Sequence, residues 1–523
     1  MRSLAAFPAL LALLATAATG VVPERASAQR DPANAVPVTR EEAPPAEVDE
    51  VPSVMEVSAD DAGLDAVANP VAFFVDARLT GDVTAMEIYR PGFRFWGHVF
   101  SRPDGEVVYG SAESGELVAA FPTNGDWIRQ GWWSDEQFAA RVGDRPMPSR
   151  LSDRRDLLAE VLEPVAGPVI HNPTRGNFVS PNVERFGRFL DEWGRIYERF
   201  GVPADLGLSQ AMIESGFSGE VRSEARAIGF CQWLPHNWER LDRLTSHVIE
   251  VENQTTQAAF CGAYLAVLAS KYGSFIPALS EHHAGSTNVG RTVINGTRLG
   301  GEDIRDRYLL GGQFAVDVRQ LSPRTFSDVV GTYGPRSYRY AEMILGNMHT
   351  VADLRAAQPQ TEIHAMRVTR DVSLSEVVRT TGLSENEVKR YNPALVRRVP
   401  KGATLYLPDQ IDSFGADVAF WHRPAPAEFD EVLLDFFRLG APLEEWDAPA
   451  FESVLQDYRR RFRATDSEEG RVMDAVLGYV VQEMPLLHRQ LSEYRTDPEI
   501  GQLFERGIQL RADEEQRQRQ ERR

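Results

Sequence analysis

Residues 211–217, Ala-Met-Ile-Glu-Ser-Gly-Phe, place one carboxylic acid at the end of an otherwise apolar run. The pattern from Ala204 to about Glu214 predicts a buried helix that stops near Gly216. Burial and the negative end of the helix dipole both disfavour a carboxylate there. Both push the Glu214 pKa upward, as a general acid requires. A glutamate at a helix end is also commonly a solvated surface group, and this stretch alone does not separate the two. Ser223 and the segment 227–235 (AIGFCQWLP) follow. They supply a hydroxyl and the Gln232 amide, which suit sugar hydroxyls, and Trp233 and Leu234, which suit the floor under a sugar face. Further on, EHHAGSTNVG (281–290) is a glycine-containing turn with two histidines. Adjacent histidines on one element are expected to point apart, and no carboxylate or cysteine stands at ligand spacing. Neither a metal nor a cofactor is therefore expected. No nucleophile elbow, phosphate loop or HExxH pattern occurs.

The elements that must hold these residues are mainly α-helical. Phe186, Phe189, Leu190, Trp193, Ile196, Tyr197 and Phe200 fall on one helical stripe, which Gly201 ends before Pro203 opens the next helix. Another helix is expected over Gln257–Ser270, and the unit 171–355 reads as mainly α. Ahead of it, 70–170 reads as a mixed accessory region with no assigned role. FRFWGHVF (93–100) alternates like a strand, and EVVYG follows after the Pro103-Asp104-Gly105 turn. Trp127, Trp132 and Trp133 are expected to pack in a core. Residues 360–410 read as a small β-α-α-β unit: HAMRVTR, VSLSEVVRTTG closed by Gly382, SENEVKRYNP, and ATLYLP. Residues 416–523 have helical periodicity and end in an almost wholly charged or Gln-rich stretch.

The chain of 523 residues is several domains long, and its composition (43% hydrophobic, 25% charged) allows cores without staples. A net charge of -20 argues against nucleic acid as a partner, since phosphate binding needs a basic surface. Residues 1–28 read as a cleaved signal peptide: Arg2, an apolar run from Leu4 to Ala18, and Ala26-Ser27-Ala28 before the cut. The expected location is therefore the periplasm, with no integral membrane segment after cleavage. Residues 29–69, rich in Pro, Ala, Glu and Asp, read as a disordered linker. The only two cysteines, Cys231 and Cys261, are compatible with a disulfide in such a compartment or with two buried thiols.

The order Glu-Ser-x-Phe, then Ser, then A-x-G-x-x-Q-x-x-P, then a turn ending Ala-Gly, resembles the catalytic domain of lytic murein transglycosylases. The resemblance spans about 180–348, with the interval from Glu214 through Ser223 to Gln232 ungapped. The 360–410 unit is similar to a LysM module, on Asp371 with Leu374, Asn392 with Pro393, and GATLYLP (402–408). The pairing of the two resembles the D-type enzymes of the family. The resemblance implies a lysozyme-like α fold and peptidoglycan glycan strands as partner. It implies cleavage of the MurNAc–GlcNAc bond without water, giving 1,6-anhydroMurNAc. It further implies Glu214 as the acid/base, Ser223 and Gln232 as substrate contacts, Leu234 lining the sugar site, Gly285 in the binding turn, and Tyr340 as the tyrosine of an E-T-x-x-Y segment. The family's A-Y-N-A-G reads Glu281-His282-His283-Ala284-Gly285 here, so His283 stands as a substrate contact in place of Asn. Arg336 and Ser337 replace the Glu and Thr before Tyr340, Cys231 replaces Met or Trp, and Arg370 replaces a LysM Gly. A goose-type lysozyme and a catalytically silent wall-binding scaffold remain the alternatives; no protein partner is indicated.

Overall fold

The structure, a computed structural model, describes residues 68–143, 145–240, 247–325, 335–418, 425–439, 448–521 and 523. The expected signal segment, and all of the expected 29–69 linker except its last two residues, lie outside the described residues. The fold is mainly α, 67% helical with few short strands.

Helix α1 (Pro70–Tyr89) is capped by Asn69, whose side chain accepts from the Ala72 N–H. Residues 93–100 are not the strand expected from their alternation. They form a 3₁₀ turn (Pro91–Arg94) and helix α2 (Phe95–Ser101). Phe95, Trp96 and Val99 are buried at i, i+1 and i+4, one face of a helix, and a short aromatic run fits either period. Tertiary packing decides: Trp96 Nε1 donates to Glu342 Oε1 at 2.9 Å on the helix of residues 340–356.

Strand β1 (Glu106–Ser111) is where EVVYG predicts it, joined by β2 (Leu117–Pro122), β3 (Trp132–Trp133) and β4 (Val169–Pro173). The antiparallel order is β3-β2-β1-β4, so the 170/171 boundary expected from sequence falls inside an edge strand. Helix α3 (Leu151–Ala166) buries Leu158 and Leu162 in the core of this sheet. Trp127 stacks on Phe121 at 5.1 Å and Trp133 meets the same ring edge-on at 4.7 Å. Trp132 departs from expectation, pointing outward with 47% of its surface exposed.

The helical body starts at α4 (Gly176–Phe186). The long stripe expected through Phe200 is broken by a 3₁₀ turn at Gly187–Phe189 before α5 (Leu190–Arg199). Then come α6 (Ala204–Ser215), α7 (Gln254–Tyr272), α8 (Phe275–Ala284), α9 (Ser286–Arg298), α10 (Ile304–Leu321) and α11 (Tyr340–Ala356). Every residue of α6 except Asp205 is buried, because α5, α7 and α11 surround it. No single described helix is long and apolar enough to cross a membrane; α7 and α8 together are, but they bend by 119° and are buried.

The β-α-α-β pattern is also present: β5 (His364–Val368), β6 (Val372–Ser373), α12 (Leu374–Thr381), α13 (Glu385–Tyr391), β7 (Arg398–Val399) and β8 (Thr404–Leu407). Ser373 and Ser384 cap the two helices and Gly382 ends the first. A further strand, β9 (Ala416–Val418), adds to the other edge of β5. This unit is docked on the helical body. Asn253 Nδ2 donates to the Tyr391 carbonyl at 2.8 Å, Thr404 Oγ1 to Glu250 at 3.0 Å, and Tyr406 hydrogen-bonds Thr256. The C-terminal helices α14 (Ala427–Phe437), α15 (Ala448–Ala464), α16 (Glu468–Thr496) and α17 (Pro498–Glu521) follow. Phe429, Phe436, Met473 and Leu477 join the main core, so the first and third of these helices are built into the body.

Candidate active site around Glu214

Helix α6 ends as the sequence predicts. Gly216 adopts the left-handed conformation (φ 57°), and the Gly216 and Phe217 N–H groups return to the Met212 and Ala211 carbonyls. Glu214 lies in the last turn, 4% exposed. Tyr340, at the start of α11, donates its hydroxyl to Glu214 Oε1. Gln210, one turn earlier on α6, donates to the Tyr340 oxygen at 3.5 Å. His282 Nε2 lies 3.7 Å from the same Oε1. No partner of Glu214 Oε2 exists among the described residues.

The two histidines do not point apart. His283 stacks on Tyr340 at 4.5 Å with planes 8° apart, and His282 faces the same ring at 6.3 Å. The expectation took this stretch for a turn. They stand at the end of helix α8, where neighbours differ by about 100° and can straddle one ring. Burial pushes the His283 imidazole below its ordinary value, with the Glu214 charge opposing. Burial foremost, then the Glu214 charge and their hydrogen bond, pushes the Tyr340 hydroxyl well up, so it remains a donor. Behind the histidines, Glu281 takes both Lys271 (2.8 and 2.6 Å) and the Tyr272 hydroxyl in a buried cluster. This pins the last turn of α8, and sequence reasoning missed it.

Ser223 and Gln232 are placed near one another as builders of the loop after α6. Ser223 Oγ accepts the Ala227 N–H at 3.0 Å; the Gln232 amide donates to the Val221 and Gly229 carbonyls at 3.3 and 3.1 Å. Phe217, Arg226 and Gln232 hold positive φ (67°, 64° and 46°), a conformation non-glycine residues resist and that clusters at functional sites. Helix α7 secures the loop. Gln257 donates to the Gly219 and Val251 carbonyls and accepts the Phe230 N–H, and Gln254 reaches the Phe217 carbonyl. Cys231 and Cys261 form a disulfide with Cα atoms 5.9 Å apart. Gln254, Gln257 and Cys261 stand at i, i+3 and i+7. A polar stripe on an apolar helix is the signal the sequence offers for this anchoring.

Trp233 is buried, and Leu234 is half-buried. Trp233 belongs to an aromatic wall: Tyr264 meets Trp233 at 5.1 Å and, separately, the His282 ring at 5.9 Å, while Tyr479 of α16 packs against both Trp233 (6.3 Å) and Tyr264 (5.9 Å). Gly285 closes α8 with φ 81° and open space where a Cβ would stand. A small pocket next in sequence to it is lined by Ala284, Asn288, Val289, Thr292, Tyr308, Ser337 and Tyr338. Other nearby carboxylates are engaged or solvent-facing. Asp205 pairs with Arg355 at 2.6 Å at the other end of α6, and Glu220 and Glu224 are exposed. No group of three or more metal-ligating side chains occurs among the described residues.

No protein-family model matches the chain, and no curated protein matches its sequence.

Proposed function

We propose that the protein is a peptidoglycan lytic transglycosylase, with Glu214 as its acid and base. The observation that carries this reading is a single buried carboxyl whose Oε1 is fixed by Tyr340 while Oε2 has no partner among the described residues. A hydrolase of the common kind needs a second carboxylate beside the bond. The candidates for that role pair elsewhere or face solvent. One carboxyl suffices if it first protonates the glycosidic oxygen and then takes the proton of the MurNAc C6 hydroxyl, which attacks its own anomeric carbon. The ungapped Glu214–Ser223–Gln232 interval and the LysM-like pattern of 360–410 support the same substrate. The leader-like pattern read in residues 1–28 supports periplasmic action on it.

Purified protein is expected to release fragments from peptidoglycan whose end group is lighter by one water. Glu214→Gln is expected to lower that rate by about 10²–10⁴-fold, the size of a general acid's contribution. Reducing ends on every fragment would indicate a goose-type hydrolase. Glycan binding with no cleavage by either protein would indicate a scaffold.

A further inference from the structure

Helices α7 and α8 meet at a bend of 119°, and α8 carries both histidines at its far end. Two buried polar clusters hold this corner. At the bend itself, Asp82 of α1 accepts the Ser274 hydroxyl at 2.6 Å, the Phe275 N–H at 2.7 Å and Arg305 Nε at 2.7 Å. Across the bend, Lys271 and Tyr272, the last two residues of α7, both donate to Glu281, one residue before His282. Lys271, Tyr272 and Glu281 are 3%, 2% and 6% exposed, so this brace is shielded from water, where hydrogen-bonded charges hold each other most firmly. The brace sets the angle of α8, and the angle sets the site. From Phe275 to His283 the helix rises about 12 Å, so a tilt of about 5° moves the histidine end by about 1 Å. His283 stacks on Tyr340 at 4.5 Å with planes 8° apart, and Tyr340 donates to Glu214 Oε1. A shift of that size unseats the stack that holds the Tyr340 ring from this side.

We propose that Lys271, Tyr272 and Glu281 are positioning residues: together they fix the angle of α8, so that His283 seats the Tyr340 ring and Tyr340 keeps its hydroxyl on Glu214. This rests on Glu214 being the acid. The cluster acts through the two rings rather than on the glycan. Misplacing a reacting group by about 1 Å costs up to about 10²-fold in rate, so side chains with no atom at the bond carry a share of turnover. A buried ion pair that serves stability alone has no such effect. Replacing such a pair by apolar side chains of similar volume is often neutral.

The test uses the full chain with all three polar side chains replaced at once, Lys271→Met, Tyr272→Phe and Glu281→Leu, so that no buried charge or hydroxyl of the cluster is left unpaired. Asp82 still holds the bend, and the triple variant is expected to unfold near the parent's midpoint. On peptidoglycan its kcat is expected to fall about tenfold or more with KM little changed, the mark of an interaction that counts in the transition state. Independently of turnover, the His283 ring-proton NMR signal, assigned by its loss in His283→Phe, is expected to lie upfield in the parent under the Tyr340 ring current. In the triple variant it is expected to return toward the position of free histidine. A folded triple variant with an unmoved His283 signal, or with a moved signal and the parent's kcat, overturns the positioning role and leaves Glu214 as the acid. Full activity in Glu214→Gln overturns the acid, and with it the group being positioned. If the triple variant does not fold, Tyr272→Phe decides. It is expected to move the same signal part of the way and to lower kcat in step, and no change in either overturns the proposal.

Discussion

At the scale of single residues, His283 carries a pH dependence of stability that burial sets. His283 is stacked on Tyr340 and pushed toward the neutral form, so its folded pKa lies below that of the unfolded chain. As pH falls through the ordinary histidine range, the unfolded chain takes up a proton that the folded one refuses. The folded state therefore loses stability in that window. In a comparison of unfolding midpoints at pH 7.5 and 5.5 (about one unit either side of an ordinary histidine pKa), His283→Phe is expected to show a smaller drop than the parent. An equal drop in both would show that His283 is not the source. The sequence made Glu214 and Tyr340 legible because motif spacing marks them. It did not show that both histidines serve one ring, since that depends on a helix end rather than a turn. Nor did it show the Lys271–Glu281–Tyr272 cluster, where a buried charge is disguised by its partners.

At the scale of elements, α6 and α7 were readable from apolar periodicity, and the helix ends at Gly216 and Gly382 from residue type. Residues 93–100 misled because a short aromatic run satisfies a period of two as well as one of 3.6, and only contact with α11 chooses. The loop between Gly216 and Pro235 carries little periodicity, and its shape comes from α7 through Gln254, Gln257 and the disulfide. Closing a loop of 30 residues contributes about 3–4 kcal/mol in the chain-entropy model. Replacing both cysteines by Ser is thus expected to lower the unfolding midpoint. The wall-digesting activity proposed above is expected to fall as well, because Gln232 and Trp233 directly follow Cys231. Unchanged activity with a lower midpoint would mean that the loop holds its shape without the bridge.

At the scale of the whole molecule, the sequence separates into regions by composition, and the structure joins several of them. Helices α14 and α16 complete the core begun by α5 and α7, which no local pattern in 416–523 announces, because its partners lie more than a hundred residues away. Tyr479 of α16 even reaches the aromatic wall beside His282. The 364–418 unit is likewise seated, through Asn253–Tyr391, Glu250–Thr404 and Thr256–Tyr406, on the same body that carries Glu214. If that unit grips a glycan, grip and cut stand at one set offset, as on a ruler. Fragment lengths would then gather around a single repeat number. Inserting a flexible glycine-serine tether between Ala356 and Ile363, with Asn253→Ala and Thr256→Ala to loosen the seat, is expected to broaden that distribution in chromatographic sizing. A spread already broad in the parent would mean that the seated unit does no measuring.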